Sequence, residues 1–171
     1  QELLSFVDEV VQQLEDAWEN SFNEILQLRI ISIIHQIQFQ EVKNRLTNWK
    51  NGEEHSLLEA AIILAHYQYS DLDEEGIRET VDRLYKQCWL EINPDYTALE
   101  KVGVLNKVFF AINGFDGNRK NYYSPVNSYI NNVLESKKGN PISISILYLE
   151  LAERLKLPIY GVNLPEHFIV A

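Results

Sequence analysis

Residues 138–158 constrain the fold of this chain more than any other stretch. They read Lys-Gly-Asn-Pro-Ile-Ser-Ile-Ser-Ile-Leu-Tyr-Leu-Glu-Leu-Ala-Glu-Arg-Leu-Lys-Leu-Pro. The run Ile142 to Leu149 alternates with period two, which taken alone describes a strand. Asn140-Pro141 opposes that reading, because a cap residue followed by proline at the first helical position starts a helix. Leu149 to Leu157 is helical in pattern, and no turn separates the two halves. One helix from Pro141 to about Leu155 is therefore expected, with its first half buried nearly all round. Downstream, Ile159 to Asn163 and Phe168 to Val170 read as two short strands joined through Leu164-Pro165-Glu166, with His167 opening the second.

Upstream, apolar residues keep three- and four-residue spacing in successive stripes. Leu3 to Trp18 form one, and Phe22 to Trp49 a second that ends at Asn51-Gly52. A short break is expected in the second near Gln36 to Gln40. Ser21/Glu24, Ser56/Glu59 and Thr97/Glu100 have the spacing of capping boxes. Asp71 to Glu75 is an acidic helix start. Further stripes run from Ile77 to Ile92, from Leu99 to Ile112, and from Tyr129 to Leu134. Phe115 to Tyr123 is the only long loop, and Ser124-Pro125 offers a cap before the next helix. The expected fold class is mainly α, a helical array with a small C-terminal antiparallel β-hairpin. Three parts are expected: a helical extension at 1–53, a helical scaffold at 54–138, and a unit of one helix plus two strands at 139–171.

Charge narrows the function classes. With 15 basic against 25 acidic residues the formal net charge is −10, so no nucleic acid is expected as a partner, because phosphate binding needs basic clusters. No apolar run approaches membrane-spanning length, and no membrane association is expected. The single cysteine, Cys88, cannot form an internal disulfide and fits a reducing, cytoplasmic setting. His35, His55 and His66 lack metal-ligand spacing with cysteine or acidic partners, so neither a metal nor another cofactor is expected. The chain begins with Gln1 rather than methionine and ends in an apolar strand, which is expected of a piece of a longer protein.

Gly114-Phe115, Gly117-Asn118, Tyr122-Tyr123-x-Pro125-x-Asn127-Ser128-Tyr129, Gly139-x-Pro141-Ile142-Ser143, Leu147-Tyr148-Leu149-Glu150, Leu157-Pro158, Gly161-Val162 and Pro165-x-His167-Phe168 together resemble the transglutaminase-like family of the SirB regulator type. A related region occurs in some F-box proteins. The resemblance runs from about Ser56 and is dense after Asn113. It implies a partial papain-like α+β core, a central helix packed on an antiparallel sheet. In active members of the wider superfamily a cysteine opens that helix, a strand histidine is its base, and an aspartate on the next strand orients the histidine. Carried across, the histidine is His167. The cysteine position falls at or next to Pro141, so the nucleophile is missing, and Glu166 replaces the family's glycine before the histidine. The aspartate would lie beyond Ala171.

Two functions follow. The leading one is a non-catalytic module for protein interaction or regulation. Its groove would lie between the start of helix 141–155 and the His167 strand, with Tyr123, Asn140, Pro141, Ser145, Asn163 and Glu166 as binding residues. The second is a hydrolase or acyltransferase with Ser143 (or Ser145) as nucleophile, His167 as base, and backbone amides around Ile142 as an oxyanion hole. A serine hydroxyl needs a positioned base, because a helix dipole alone does not ionise it. Ser143 and Ser145 are otherwise small packing residues bonding to carbonyls of the preceding turn. Cys88 reads as a buried apolar residue.

Overall fold

The computed structural model describes residues 2–53, 55–69, 71–165 and 167–171, with side chains from Glu9 onward. Among these residues the chain forms seven α-helices and two small β-pairings. The helices are α1 (Glu2–Glu19), α2 (Glu24–Asn51), α3 (Leu57–His66), α4 (Glu74–Glu91), α5 (Ala98–Asn106), α6 (Ile130–Ser136) and α7 (Pro141–Arg154). A π-helical turn, Lys107–Ile112, prolongs α5, and a 3-10 turn, Pro125–Ser128, precedes α6. The strands are β1 (Asp116–Gly117), β2 (Lys138–Gly139), β3 (Gly161–Leu164) and β4 (His167–Val170). The chain is thus mainly α with a C-terminal antiparallel hairpin, β3–β4, in the register Gly161↔Val170 to Leu164↔His167.

Helix α7 is the central element. It packs against α3, α4, α5 and α6. Leu147 and Leu151 are fully buried in a core they share with Leu58, Ile62, Val81 and Phe109. Around Phe109 the core is aromatic, with Phe115 stacked at 4.4 Å and Tyr148 edge-on at 5.5 Å. Such pairs add to the plain burial of their area. The Tyr148 hydroxyl donates to Asn106 Oδ1 at 2.8 Å, so the ring enters the core without an unpaired polar atom. Cys88 is completely buried against this cluster. Burial, helped by the nearby Glu91 carboxylate, pushes its thiol up to about 11. The thiolate is the reactive form, so at neutral pH this sulfur packs and does not react.

Local chemistry differs from the expected caps at several points. The cap of α2 is Asn23, whose Oδ1 accepts from the amides of Ile25 and Leu26, while Ser21 accepts from Asn23 one step earlier. An asparagine closer to the first turn displaces the Ser21/Glu24 box. Helix α2 also runs through Gln36 to Gln40 without the expected break, because the flanking apolar spacing holds the period at 3.6. At Ser56 half a box forms: Ser56 Oγ accepts from the Glu59 amide, while the Glu59 carboxylate turns to Arg78 at 2.8 Å. Thr97/Glu100 is a complete box. Ser124 makes no side-chain cap, and α6 ends with Lys137 in the left-handed region at φ 60°.

Helices α2, α3 and α4 meet at one ionic node. Glu74, at the start of α4, accepts from Arg45 at 2.6 Å and from Arg78 at 2.8 Å, and lies 3.0 Å from His66 Nε2. Arg78 also grips Glu59 with two hydrogen bonds. Burial raises the Glu74 carboxyl, but the two arginines and His66 outweigh it and hold it below its ordinary value. At the far end of α7, Arg154 joins Glu150 and Asp82, while Ser56 donates to Glu150.

Candidate functional site at the start of the central helix

The first turn of α7 is built into a hydrogen-bond node whose hub is Asn127, only 2 % exposed. The Asn127 amide nitrogen donates to the carbonyls of Asn121 (2.8 Å) and Tyr122 (3.0 Å), and its Oδ1 accepts from Asn118 Nδ2 at 2.9 Å. Its backbone carbonyl receives the Ser143 hydroxyl at 2.6 Å and the Asn140 amide at 3.2 Å. Asn140 caps α7 by accepting from the Ser143 amide at 2.8 Å, and Ser143 Oγ reciprocates by accepting from the Asn140 amide at 3.1 Å. Asn140 Nδ2 donates to Ser128 Oγ at 2.9 Å. Buried backbone groups must be paired, and asparagine, both donor and acceptor, lets one side chain close several gaps.

A two-residue parallel pairing, β1 with β2, brings the long loop to this node, with Asp116↔Lys138 and Gly117↔Gly139 in register. The Asn118 amide continues it to the Gly139 carbonyl at 2.9 Å. Gly139 is required by closeness: a Cβ there would stand 2.5 Å from Ser143 Oγ and 3.1 Å from Val133. The period-two pattern of Ile142 to Leu147 acquires a meaning on the helix. Ser143 and Ser145 are both buried, and the small Ser143 side chain admits the loop backbone at Asn127, while Ile142 is exposed and Ile144 and Ile146 are half-buried. The expected complete burial of this half is not found. The inward crowding is met by serine instead.

All the residues proposed from the sequence except Glu166 have a described place. Ser143 is 3 % exposed and its hydroxyl proton lies between the Asn127 and Asn140 carbonyls. Ser145 is buried one step further along α7. Asn140 is the helix cap, and Pro141 occupies the first turn with its ring exposed. Tyr123 is almost wholly exposed and stands edge-on to Tyr122 at 5.2 Å. Asn163 pairs with Phe168 in the hairpin and is exposed, as is His167, which pairs with Leu164. Glu166 lies outside the described residues. Among the described residues no hydroxyl, thiol or carboxylate is hydrogen-bonded to the His167 ring. The hairpin meets α7 further along, where a Cβ on Gly161 would stand 2.6 Å from Phe168 and 3.4 Å from Leu149.

Asn118, Ser128 and Gly139 belong to the node although the motif pattern did not single them out as site residues. The signal was the density of asparagine between positions 113 and 140, of which Asn118, Asn127 and Asn140 satisfy loop and cap backbone from their side chains. Among the described residues no cluster of three or more His, Cys, Asp and Glu side chains is placed to hold a metal ion. No helix among them is long and apolar enough to cross a membrane.

Helices feeding a central capped helix, closed by a short antiparallel hairpin, are the arrangement of a transglutaminase-like core in part. Residues 75–171 match the Transglutaminase-like superfamily, and the chain belongs to it. It is 35% identical over 114 residues to a UPF0162 protein of Xylella fastidiosa, covering 67% of this chain and 41% of that one. It is also 27% identical over 162 residues to human F-box only protein 21, covering 81% of this chain and 26% of that protein. The chain thus spans less than half the length of these relatives. No solved structure matches it.

Proposed function

We propose that this chain is a non-catalytic, SirB-type transglutaminase-like module that works by protein interaction or regulation in the cytoplasm. In it residues 1–53 extend a scaffold, 54–138, that presents the unit 139–171. The exposed surface around the start of α7 and the His167 strand is its retained groove, and its partners are proteins rather than nucleic acids. One observation carries the reading: the Ser143 hydroxyl is held in the Asn127–Asn140 node at 2.6 Å from a carbonyl. A nucleophile must instead give its proton to a base. The family resemblance puts the cysteine position at or next to Pro141, and none of Asn140, Pro141 and Ile142 offers a nucleophile.

The test is covalent labelling of the wild-type chain with a fluorophosphonate and a reactive thioester, followed by intact mass measurement. No adduct is expected at Ser143 or Ser145. An adduct at Ser143 that disappears in His167→Ala would establish the hydrolase or acyltransferase reading instead.

A further inference from the structure

Helix α2 carries apolar residues on two sides. Ile30, Ile34 and Val42 are buried. Another strip stays open: Phe39 is 56 % and Leu64 of α3 50 % exposed, and Phe39 stands edge-on to Tyr67 at 6.2 Å. Phe39, Val42, Leu46, Leu64, Tyr67 and Tyr129 line a recess of about 720 Å³ between α2, α3 and the Pro125–Ser128 turn. A shallower trough along α2, past Leu28, Ile31 and His35, joins it through Phe39 and Tyr67. Ser128 lines the recess and also accepts from Asn140, so this face is continuous with the node that caps α7.

The charge of this strip is the inverse of the chain's. Neither recess nor trough is lined by any Asp or Glu, although acidic residues outnumber basic ones 25 to 15. Lys43 and Lys50 edge the recess, and among the described residues neither ammonium is paired with a carboxylate. They are seven residues apart on one helix, hence two turns and about 10 Å apart on the same side. An apolar recess beside a helix, edged by cations at that spacing, suits the apolar face of a second helix bearing carboxylates two turns apart.

We propose that the α2–α3–Tyr129 face docks an acidic amphipathic helix of a partner protein. Its leucine- or phenylalanine-sized anchors fill the recess, and its carboxylates meet Lys43 and Lys50. This deepens the interaction reading and rests on it. Exposed ion pairs contribute little affinity but discriminate well between partners of opposite charge, so the apolar anchors supply the binding and the lysines the choice.

The test uses two fluorescein-labelled synthetic helices of about 20 residues, with leucines at i, i+3, i+4 and i+7. One carries glutamates seven residues apart, and its twin carries lysines there. Anisotropy with the wild-type chain at low salt is expected to show the glutamate helix binding about tenfold or more tightly than its twin. The preference should reverse in Lys43→Glu/Lys50→Glu, and binding should fall about tenfold or more in Leu64→Glu. All these positions are on the surface, and circular dichroism checks that the variants fold. Equal affinity for the two helices, or binding unchanged in Leu64→Glu, overturns the proposal. Sedimentation showing a wild-type dimer that Leu64→Glu dissolves also overturns it, in favour of a second copy of the chain. Fluorophosphonate labelling of Ser143 would remove the interaction reading without altering the anisotropy, so the two failures are distinguishable.

Discussion

Asn127→Ala is expected to cost about 3 kcal/mol of folding stability. The loss follows from what the truncation strands. The carbonyls of Asn121 and Tyr122 lose their donor, and Asn118 Nδ2 loses its acceptor, at a side chain 2 % exposed. An unsatisfied buried group costs about 1–3 kcal/mol, but the loop rim is open enough for water to recover part of that. For a chain of this size the melting temperature should fall by roughly 6–12 °C. The backbone carbonyl of Asn127 survives the substitution, so Ser143 keeps its acceptor only while the loop holds. Urea denaturation measures the loss, and faster hydrogen exchange at the Asn140 and Ser143 amides would locate it. A change under about 0.5 kcal/mol, within the range of ordinary surface substitutions, would show that the node is not a structural hub.

Glu74→Ala is expected to cost about 2 kcal/mol. The side chain is 21 % exposed and its arginine partners 27 % and 33 %, so the value falls between exposed pairs, at about 0–1, and buried ones, at about 3–5 kcal/mol. The node is a polar tie between α2 and the α3–α4 scaffold, beside the Trp49 Nε1 bond to the Ser56 carbonyl, so the N-terminal half of the chain should loosen first. The pH dependence has a definite sign. Burial raises the Glu74 carboxyl, but Arg78, Arg45 and His66 more than offset this and leave it lowered on folding. A lowered carboxylate contributes stability that is present above its unfolded value and lost as pH falls through the folded one. The advantage of wild type over Glu74→Ala should therefore be full at neutral pH and shrink below about pH 4.3. Thermal melts of both proteins across pH 3–8 check this. An advantage that grows on acidification would contradict it.

The helices were legible in the sequence because three- and four-residue apolar spacing agreed with the caps that bound them, as at Thr97/Glu100 and Asn140-Pro141. Agreement between local signals is what makes an element predictable. Where two caps competed, as at Ser21 and Asn23, spacing alone could not rank them, since the winner depends on which side chain reaches the first amides. The β1–β2 pairing was not legible. Two residues carry no period, and the pairing exists because Gly139 admits Ser143 Oγ and the loop backbone together. The candidate residues were found by motif resemblance, but their roles needed geometry. The alternation of serine and isoleucine after Pro141 looked like a strand. On the helix the two serines fall on different sides, and it is Ser143 alone that makes room for the Asn127 carbonyl. The open face of α2 was hidden because exposed and buried apolar residues have the same spacing.

The central claim is that the start of α7 is a structural cap and not a disabled active site awaiting its thiol. The direct measurement is the alkylation rate of the Ser143→Cys variant by iodoacetamide between pH 6 and pH 9, with and without His167→Ala. Cys88, fully buried, supplies the internal reference for an unreactive thiol. The cap account predicts that the introduced thiol reacts slowly, without activation at neutral pH, and at the same rate whether or not His167 is present. Rapid alkylation near pH 7 that collapses in the His167→Ala background would contradict it, because that pattern requires a thiolate held by the histidine.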